Sequence, residues 1–158
     1  MGKNMKIIRT TDYETIAKLN QSVHDLHYEL YPKYFKQYDY EAIKEFFKGI
    51  IHDERFIFLL VEDDGEAIGY AWIEIRNYPE SPFKKAYKSV YVHQISVTET
   101  KRKKGYGSRL MKEIYEIAKN KGIDWVELDY WVENKIANDF YKKLGFKKYR
   151  EFVHKEIK

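Results

Sequence analysis

Lys101–Leu110 reads KRKKGYGSRL, and the fold turns on how this stretch is read. Basic residues run into Gly105-Tyr106-Gly107, and a helical pattern follows. The segment before it, Val90–Val97 (VYVHQISV), is strand-like. The unit is therefore strand, short loop, helix start. The first turn of a helix exposes N–H groups without intrahelical partners, at the positive end of the helix dipole, and so suits an anion. Glycines there permit close approach and positive φ. Two familiar phosphate-binding patterns fail on spacing. There is no Gly-x-x-x-x-Gly-Lys-Ser/Thr, and Leu110 stands where a dinucleotide fingerprint needs its third glycine. A solvated basic loop at a helix start explains the composition equally well.

Moving outward, Met5–Arg9 reads as a strand. Thr11 and Glu14 have capping-box spacing ahead of a helix whose apolar positions are Ile16, Leu19, Val23, Leu26 and Leu30, ending before Pro32. Asp39 caps a second helix with Ile43, Phe46, Phe47 and Ile50 on its apolar side. Phe56–Val61 (FIFLLV) and Ala67–Ile75 are strands joined by the hairpin signal Asp63-Asp64-Gly65. Residues 77–88 read as a loop and Val90–Val97 as the next strand. A helix then runs from about Gly105 to Lys121. Trp125–Trp131 reads as a strand, Asn134–Leu144 as a helix stopped by Gly145, and Phe146–Ile157 as one or more final strands. Hairpins first and strand–helix–strand units later predict an α+β (α/β mixed) fold: a mixed, mostly antiparallel twisted sheet flanked by helices.

The bulk numbers narrow the function classes. The 158 residues are 44% hydrophobic and 34% charged, with no linker or low-complexity run, so one domain over 1–158 is expected. Cysteine is absent, which excludes disulfides, thiolate catalysis and Cys-based zinc sites. The net charge of +4 comes from dispersed basic residues, and Lys101–Lys104 alone is a small footprint for nucleic acid. No apolar run is long enough to span a membrane. The N-terminus lacks a signal-peptide core, and Lys6 stands where Gly2 acylation wants Ser or Thr. A cytoplasmic protein without nucleic-acid or membrane partners is expected.

Two segments carry a family resemblance. Arg102-Lys103-Lys104-Gly105-Tyr106-Gly107 resembles the Arg/Gln-x-x-Gly-x-Gly/Ala signature of the GNAT superfamily of N-acetyltransferases. Asn134–Phe146 (NKIANDFYKKLGF) resembles that family's second hallmark, Asn-x-x-Ala-x-x-Phe-Tyr-x-x-x-Gly-Phe. Both occur in the family's order, within about residues 88–147. The resemblance implies an acyl-CoA N-acyltransferase fold and acetyl-CoA as acetyl donor, without a metal. It implies that backbone N–H groups from Arg102, Lys103, Lys104, Gly105, Tyr106, Gly107 and Ser108 hold the pyrophosphate. Strands 90–97 and 125–131 would splay, and the edge at Ile95 and Val97 would pair with the pantetheine arm and polarise the acetyl carbonyl. Tyr141 would protonate the leaving thiolate, while Asn134 and Asn138 are candidates to contact the cofactor. Dimers are common in the family, so a homodimer is open. A CoA-binding module or sensor without catalysis would share the same loop.

An ammonium cannot attack a thioester, so a base or a proton path is needed. His93 is the candidate base, because imidazole is the side chain whose ordinary pKa suits the task. Strand alternation would put Tyr91, His93, Ile95 and Val97 on one face. The strand resembles arylalkylamine-type members, which carry histidine at the positions of Tyr91 and His93; only the second survives here. Histone-type members carry a glutamate where Tyr91 stands. A path through ordered water, or a half-buried structural histidine, remains open. His24 and His27, with Glu29 near, form a weak metal pattern and read instead as surface or acceptor-pocket residues. His52 and His154 read as solvated. For the acceptor, a small-molecule or peptide amine, the loop residues Tyr31, Tyr34 and Phe35 could cover a substrate. Tyr91, Glu127 and Asp129 could line its approach, Glu127 and Asp129 sharing a strand face and able to attract a cationic amine; solvated charges on a sheet face explain the two carboxylates equally well.

Overall fold

The computed structural model describes residues 4–158; Gly2, weighed above for acylation, lies outside the described residues. The chain runs β1 (Met5–Arg9), α1 (Tyr13–Leu30), α2 (Tyr40–Ile50), β2 (Phe56–Asp63), β3 (Glu66–Tyr78), β4 (Tyr87–Val97), a single 3-10 turn (Glu99–Lys101), α3 (Tyr106–Asn120), β5 (Val126–Leu128) and α4 (Lys135–Lys143). The sheet order is β1-β2-β3-β4-β5. Neighbours are antiparallel except β4 and β5, which are parallel. The mixed, mostly antiparallel sheet expected from the sequence is therefore observed.

The run FIFLLV explains the layering. β2 is buried along nearly its whole length, and its side chains alternate between two cores. Leu59 and Val61 pack with Ile73, Val90 and Val92 under Leu110, Met111 and Ile114 of α3. Phe58 and Leu60 pack with Tyr70 and Trp72 under Ile16 and Ala17 of α1 and Phe47 of α2. Each fully buried Leu or Ile in these layers is worth about 1.5–3 kcal/mol. The β2–β3 turn takes the positive φ that a two-residue hairpin needs, 52° at Asp64 and 79° at Gly65.

Local expectations need several corrections. Asp12, not Thr11, caps α1, accepting from Thr15 N at 3.1 Å. β3 and β4 extend to Tyr78 and Tyr87 because cross-strand pairs, including the stacked Tyr78–Tyr87 rings, continue the ladder into the expected loop. β5 keeps only Val126–Leu128 of the expected 125–131. Phe146–Ile157 forms no strand among the described residues. Its apolar positions, Phe146, Tyr149, Phe152, Val153 and Ile157, are mostly three or four apart and so build no period-two face.

The largest deviation lies in β4. Val92 pairs with Ile73 and Gln94 with Trp72, so His93 is an extra residue, a β-bulge. The bulge breaks the expected alternation. His93 stacks on Trp72 and Tyr91 meets its edge on the α1/α2 side. Ile95 and Val97 pack in the α3 core on the other side. Tyr91 and His93 therefore do not share a face with Ile95 and Val97. A buried polar cluster holds the kink: Asn20 Nδ2 donates to Tyr70 Oη (3.0 Å) and Gln94 Oε1 (3.2 Å), and Tyr70 donates to Gln94 Oε1 (2.6 Å).

Candidate active site

β4 and β5 are paired only as far as Val92 and Leu128. Beyond that point the pairing stops, which leaves a gap in the ladder along the β5-facing edge of β4. Its polarity follows from one bond. Thr98 N–H donates to Ile68 O on β3 at 2.8 Å, so by strand alternation the N–H groups of Val97 and Ile95 point the other way, into the gap. Arg102 Nε donates to the Val97 carbonyl at 3.3 Å, and its Nη2 donates to Ser22 of α1 at 2.8 Å. The Arg102 side chain thus ties α1 to the end of β4.

The basic stretch forms the mouth of this gap. After the 3-10 turn, Lys103 sits at φ 63° and Gly105 at φ 89°, the latter as N-cap of α3. Left-handed residues alternating with others turn successive N–H groups toward one concave side, which is an anion-binding arrangement. The start of α3 adds its unpaired N–H groups. Lys103, Lys104, Gly105 and Ser108 are exposed. Tyr106 turns its ring into the α3 core and donates its hydroxyl to Asp63, so only its backbone is on the loop's outer side. A Cβ on Gly107 would come 3.1 Å from Phe140, which fixes how closely α3 and α4 approach.

That approach brings the second hallmark to the gap's far wall. Asn134 is buried and caps α4, its Oδ1 accepting from Ala137 N at 3.1 Å. Asn138 Oδ1 accepts from Tyr130 at 2.9 Å. Tyr141 is 7% exposed among Tyr130, Phe140 and Phe146. Burial pushes its phenol well above the ordinary value, so it stays protonated.

On the opposite side of β4, His93 Nε2 lies 2.7 Å from Glu74 Oε1. The same oxygen accepts from Arg76 Nε at 3.0 Å. The Arg76 guanidinium lies 3.7 Å over the Tyr91 ring, and Tyr91 donates to Asp129. Burial lowers the His93 pKa, outweighing the opposite pull of Glu74, so the ring is neutral near pH 7. Glu74 is held below its ordinary value: burial opposes this, but the His93 and Arg76 hydrogen bonds outweigh it. The sequence offered no signal for Glu74 or Arg76, because their meeting with His93 depends on strand register.

The acceptor-side aromatics come together around a residue the sequence reading passed over. Trp131, past β5, is met by Tyr31 (ring centroids 4.5 Å), Phe35 (5.3 Å) and Tyr34 (5.7 Å) from the α1–α2 connection. Glu133 N donates to the Tyr31 hydroxyl at 2.9 Å. This clasp joins the α1–α2 connection to the wall beyond β5. His24 and His27 pack against Phe35 as part of the same group. Glu127 and Asp129 lie on one face, since they meet Tyr87 and Tyr91 of β4. Glu127 Oε2, however, accepts from Tyr87 and Tyr149 at 3.0 Å each, which engages that oxygen internally, while Oε1 is buried without a partner among the described residues. No group of three metal-binding side chains occurs among the described residues, and no helix among them is long and apolar enough to cross a membrane.

Known proteins resemble this chain in sequence and in fold. The Acetyltransferase (GNAT) family model matches residues 20–146. An uncharacterised N-acetyltransferase of Methanocaldococcus jannaschii is 29% identical over 148 residues, 90% of this chain and 64% of the relative. The chain thus spans under two thirds of that relative's length. An N-alpha-acetyltransferase of Sulfurisphaera tokodaii is 32% identical over 166 residues, covering 97% of this chain and 86% of the relative. Among solved structures, the tetramutant of the BH1408 protein from Bacillus halodurans superposes with a TM-score of 0.90 at 25% identity, over 96% of this chain and 99% of that one. The aminoglycoside N-acetyltransferase AAC(6')-Iy in complex with CoA superposes at 0.71 and 20% identity, over 99% of this chain and 97% of that one.

Proposed function

The chain belongs to the GNAT family of acetyltransferases, and on that premise we propose that it transfers the acetyl group of acetyl-CoA directly to a primary amine, in the cytoplasm. The observation that carries this reading is the parting of β4 from β5 after Val92 and Leu128, with two main-chain N–H groups facing the gap and a left-handed loop at its mouth. The residues fit the acetyl donor. The loop from Arg102 to Gly105 and the first turn of α3 supply N–H donors for a pyrophosphate, with Lys103 and Lys104 as nearby positive charge. Ile95 and Val97 offer the strand edge that an extended, amide-bearing arm pairs with.

Acetyl-CoA, when bound, supplies an activated acyl group whose thioester is open to amine attack. The chain's own residues manage the protons. His93, neutral at pH 7, takes a proton from the acceptor ammonium and so frees the nitrogen lone pair. The nitrogen bonds to the acetyl carbon as the carbon–sulfur bond breaks. Backbone N–H at the β4 edge donates to the carbonyl oxygen where negative charge develops. Tyr141, kept protonated by burial, gives its proton to the departing sulfur and recovers one from the nitrogen, directly or through solvent. One proton is released per turnover. The absence of cysteine supports direct transfer, since the usual thiol carrier is missing. The clasp around Trp131 supports a small acceptor, because it closes the α1–α2 connection onto the segment beyond β5. The name of the Sulfurisphaera relative supports a peptide N-terminus instead, so the assay must contain both.

The test is release of free thiol from acetyl-CoA with tyramine, spermidine, glucosamine and a peptide with a free N-terminus. Turnover with any of them supports the proposal, and the preferred amine identifies the class. Tight acetyl-CoA binding with no thiol release across the panel would replace it with a non-catalytic sensor.

A further inference from the structure

The bulge leaves His93 in surroundings built for more than packing. Its ring is stacked on Trp72 at 4.4 Å and 17°, with the edges of Phe56 and Tyr91 closing two further sides. Its side chain retains 22% exposure. Nε2 is engaged by Glu74 at 2.7 Å, while Nδ1 makes no hydrogen bond to the described residues. Glu74 is itself fixed. Arg76 binds the same carboxylate oxygen, and the Glu74 side chain is 13% exposed. Arg76 is held in turn by the Tyr91 ring, and Tyr91 by Asp129 beyond β5. The charged and titratable groups facing the imidazole are therefore Glu74 and Arg76 from β3, Tyr91 from β4 and Asp129 from the gap's far wall.

We propose that Glu74 is a positioning residue for His93: its carboxylate accepts a hydrogen bond from Nε2–H, confines the ring's lone pair to Nδ1, and balances the imidazolium formed when Nδ1 takes the acceptor's proton. The inference rests on the reading of His93 as the base. A carboxylate on the far nitrogen of an imidazole fixes both tautomer and orientation. Without it the ring could carry its proton on either nitrogen. Arg76 has a consequence here as well. By sharing Oε1 it keeps Glu74 ionised, and its own positive charge limits how strongly the pair holds a proton, so the imidazolium can give its proton up again after each turnover. In the balance of the step, Nδ1 gains the proton that the acceptor nitrogen loses, and the other proton stays on Nε2, hydrogen-bonded to Glu74, throughout.

The experiment uses the full chain labelled with nitrogen-15 histidine, as wild type, Glu74→Gln, Glu74→Leu and His93→Ala. NMR reads the His93 tautomer and its titration. Thiol release with the fastest amine of the panel gives kcat/KM against pH. The wild type should show the Nε2–H tautomer. Glu74→Gln keeps an acceptor but loses the negative charge, so the His93 titration and the acid limb of kcat/KM should both move to lower pH. A role confined to holding the strands together would leave that limb in place. Glu74→Leu should lower kcat/KM by about 10- to 100-fold, within what a positioned base contributes, and should add almost nothing in a His93→Ala background. If Glu74→Leu fails to fold, the Gln variant decides through its titration. An Nδ1–H tautomer in the wild type, or an unmoved titration in Glu74→Gln, overturns the proposal. If His93→Ala alone lowers turnover while the Glu74 variants behave as wild type, the positioning role fails and the base stands. If His93→Ala turns over normally, both fall.

Discussion

A Cβ placed on Gly69 would lie 2.7 Å from the carbonyl oxygen of Ser96 and 3.3 Å from Val97 Cα, where ordinary contact begins at 3.4 Å. Both neighbours are main chain, so no side chain can swing aside. Gly69 pairs with Val61 on one side and Val97 on the other, so the strand cannot tilt without breaking a ladder. Gly69→Ala must therefore push the end of β4 toward the gap by several tenths of an ångström. Overpacking of this kind costs about 1–3 kcal/mol. At about 2–4 °C per kcal/mol for a chain of this size, Tm should fall by about 2–12 °C. The displaced segment is the one whose N–H groups face the gap, so acetyl-CoA affinity should fall beyond what the stability loss explains. Thermal unfolding by circular dichroism gives the first number. Calorimetric titration of acetyl-CoA, performed well below Tm, gives the second. An unchanged Tm would refute the packing argument, and a lowered Tm with unchanged affinity would refute the placement of the donor along this edge.

Three further outcomes are expected. Tyr141→Phe should lower kcat by about 10²–10⁴-fold while changing stability by less than about 1 kcal/mol, because the hydroxyl makes no hydrogen bond to the described residues; thiol release and thermal unfolding read the two effects separately. Gly105→Val forces a β-branched residue to φ 89° and should weaken CoA binding far more than Lys103→Ala, whose exposed charge contributes on the order of 0.2–1 kcal/mol; the reverse order in a titration would return the grip to the lysines. Glu127 is held below its ordinary pKa, burial opposing the shift and the surrounding hydroxyls of Ser89, Tyr87, Tyr149 and Tyr78 outweighing it. Its stabilisation is present above about pH 4.5 and lost as pH falls through the depressed folded value, so the Tm deficit of Glu127→Gln should be full at pH 7 and shrink in acid.

Periodicity made much of the fold legible. The alternation in Phe56–Val61 and the helical stripes of α1 and α3 are local patterns, and burial in the two cores follows them. The loop from Arg102 to Ser108 and the helix of Asn134 and Tyr141 were likewise readable, since each is a continuous segment with its own glycine or cap. What stayed hidden depends on pairing between distant segments. The His93 bulge is a mismatch between β3 and β4 that β4 alone does not encode, and it reverses the facing of residues on either side of it. Glu74 reaches His93 only through that register. Trp131 acquires meaning only when the α1–α2 connection, a hundred residues earlier in the chain, folds over it. The absence of a C-terminal strand among the described residues has a different cause: the apolar residues of 146–157 lack the period-two spacing that a strand face needs.

The bulge also separates two kinds of recognition within one strand. On the proposed reading, the donor meets β4 through peptide groups at Ile95 and Val97, which every residue type except proline presents alike. The acceptor would meet it through the side chains of Tyr91 and His93 on the reverse face. A change of side chain at Tyr91 can therefore alter which amine is accepted while the donor's ladder is preserved. On that reading one strand would hold the acetyl source constant under mutation and leave the choice of acceptor free to drift.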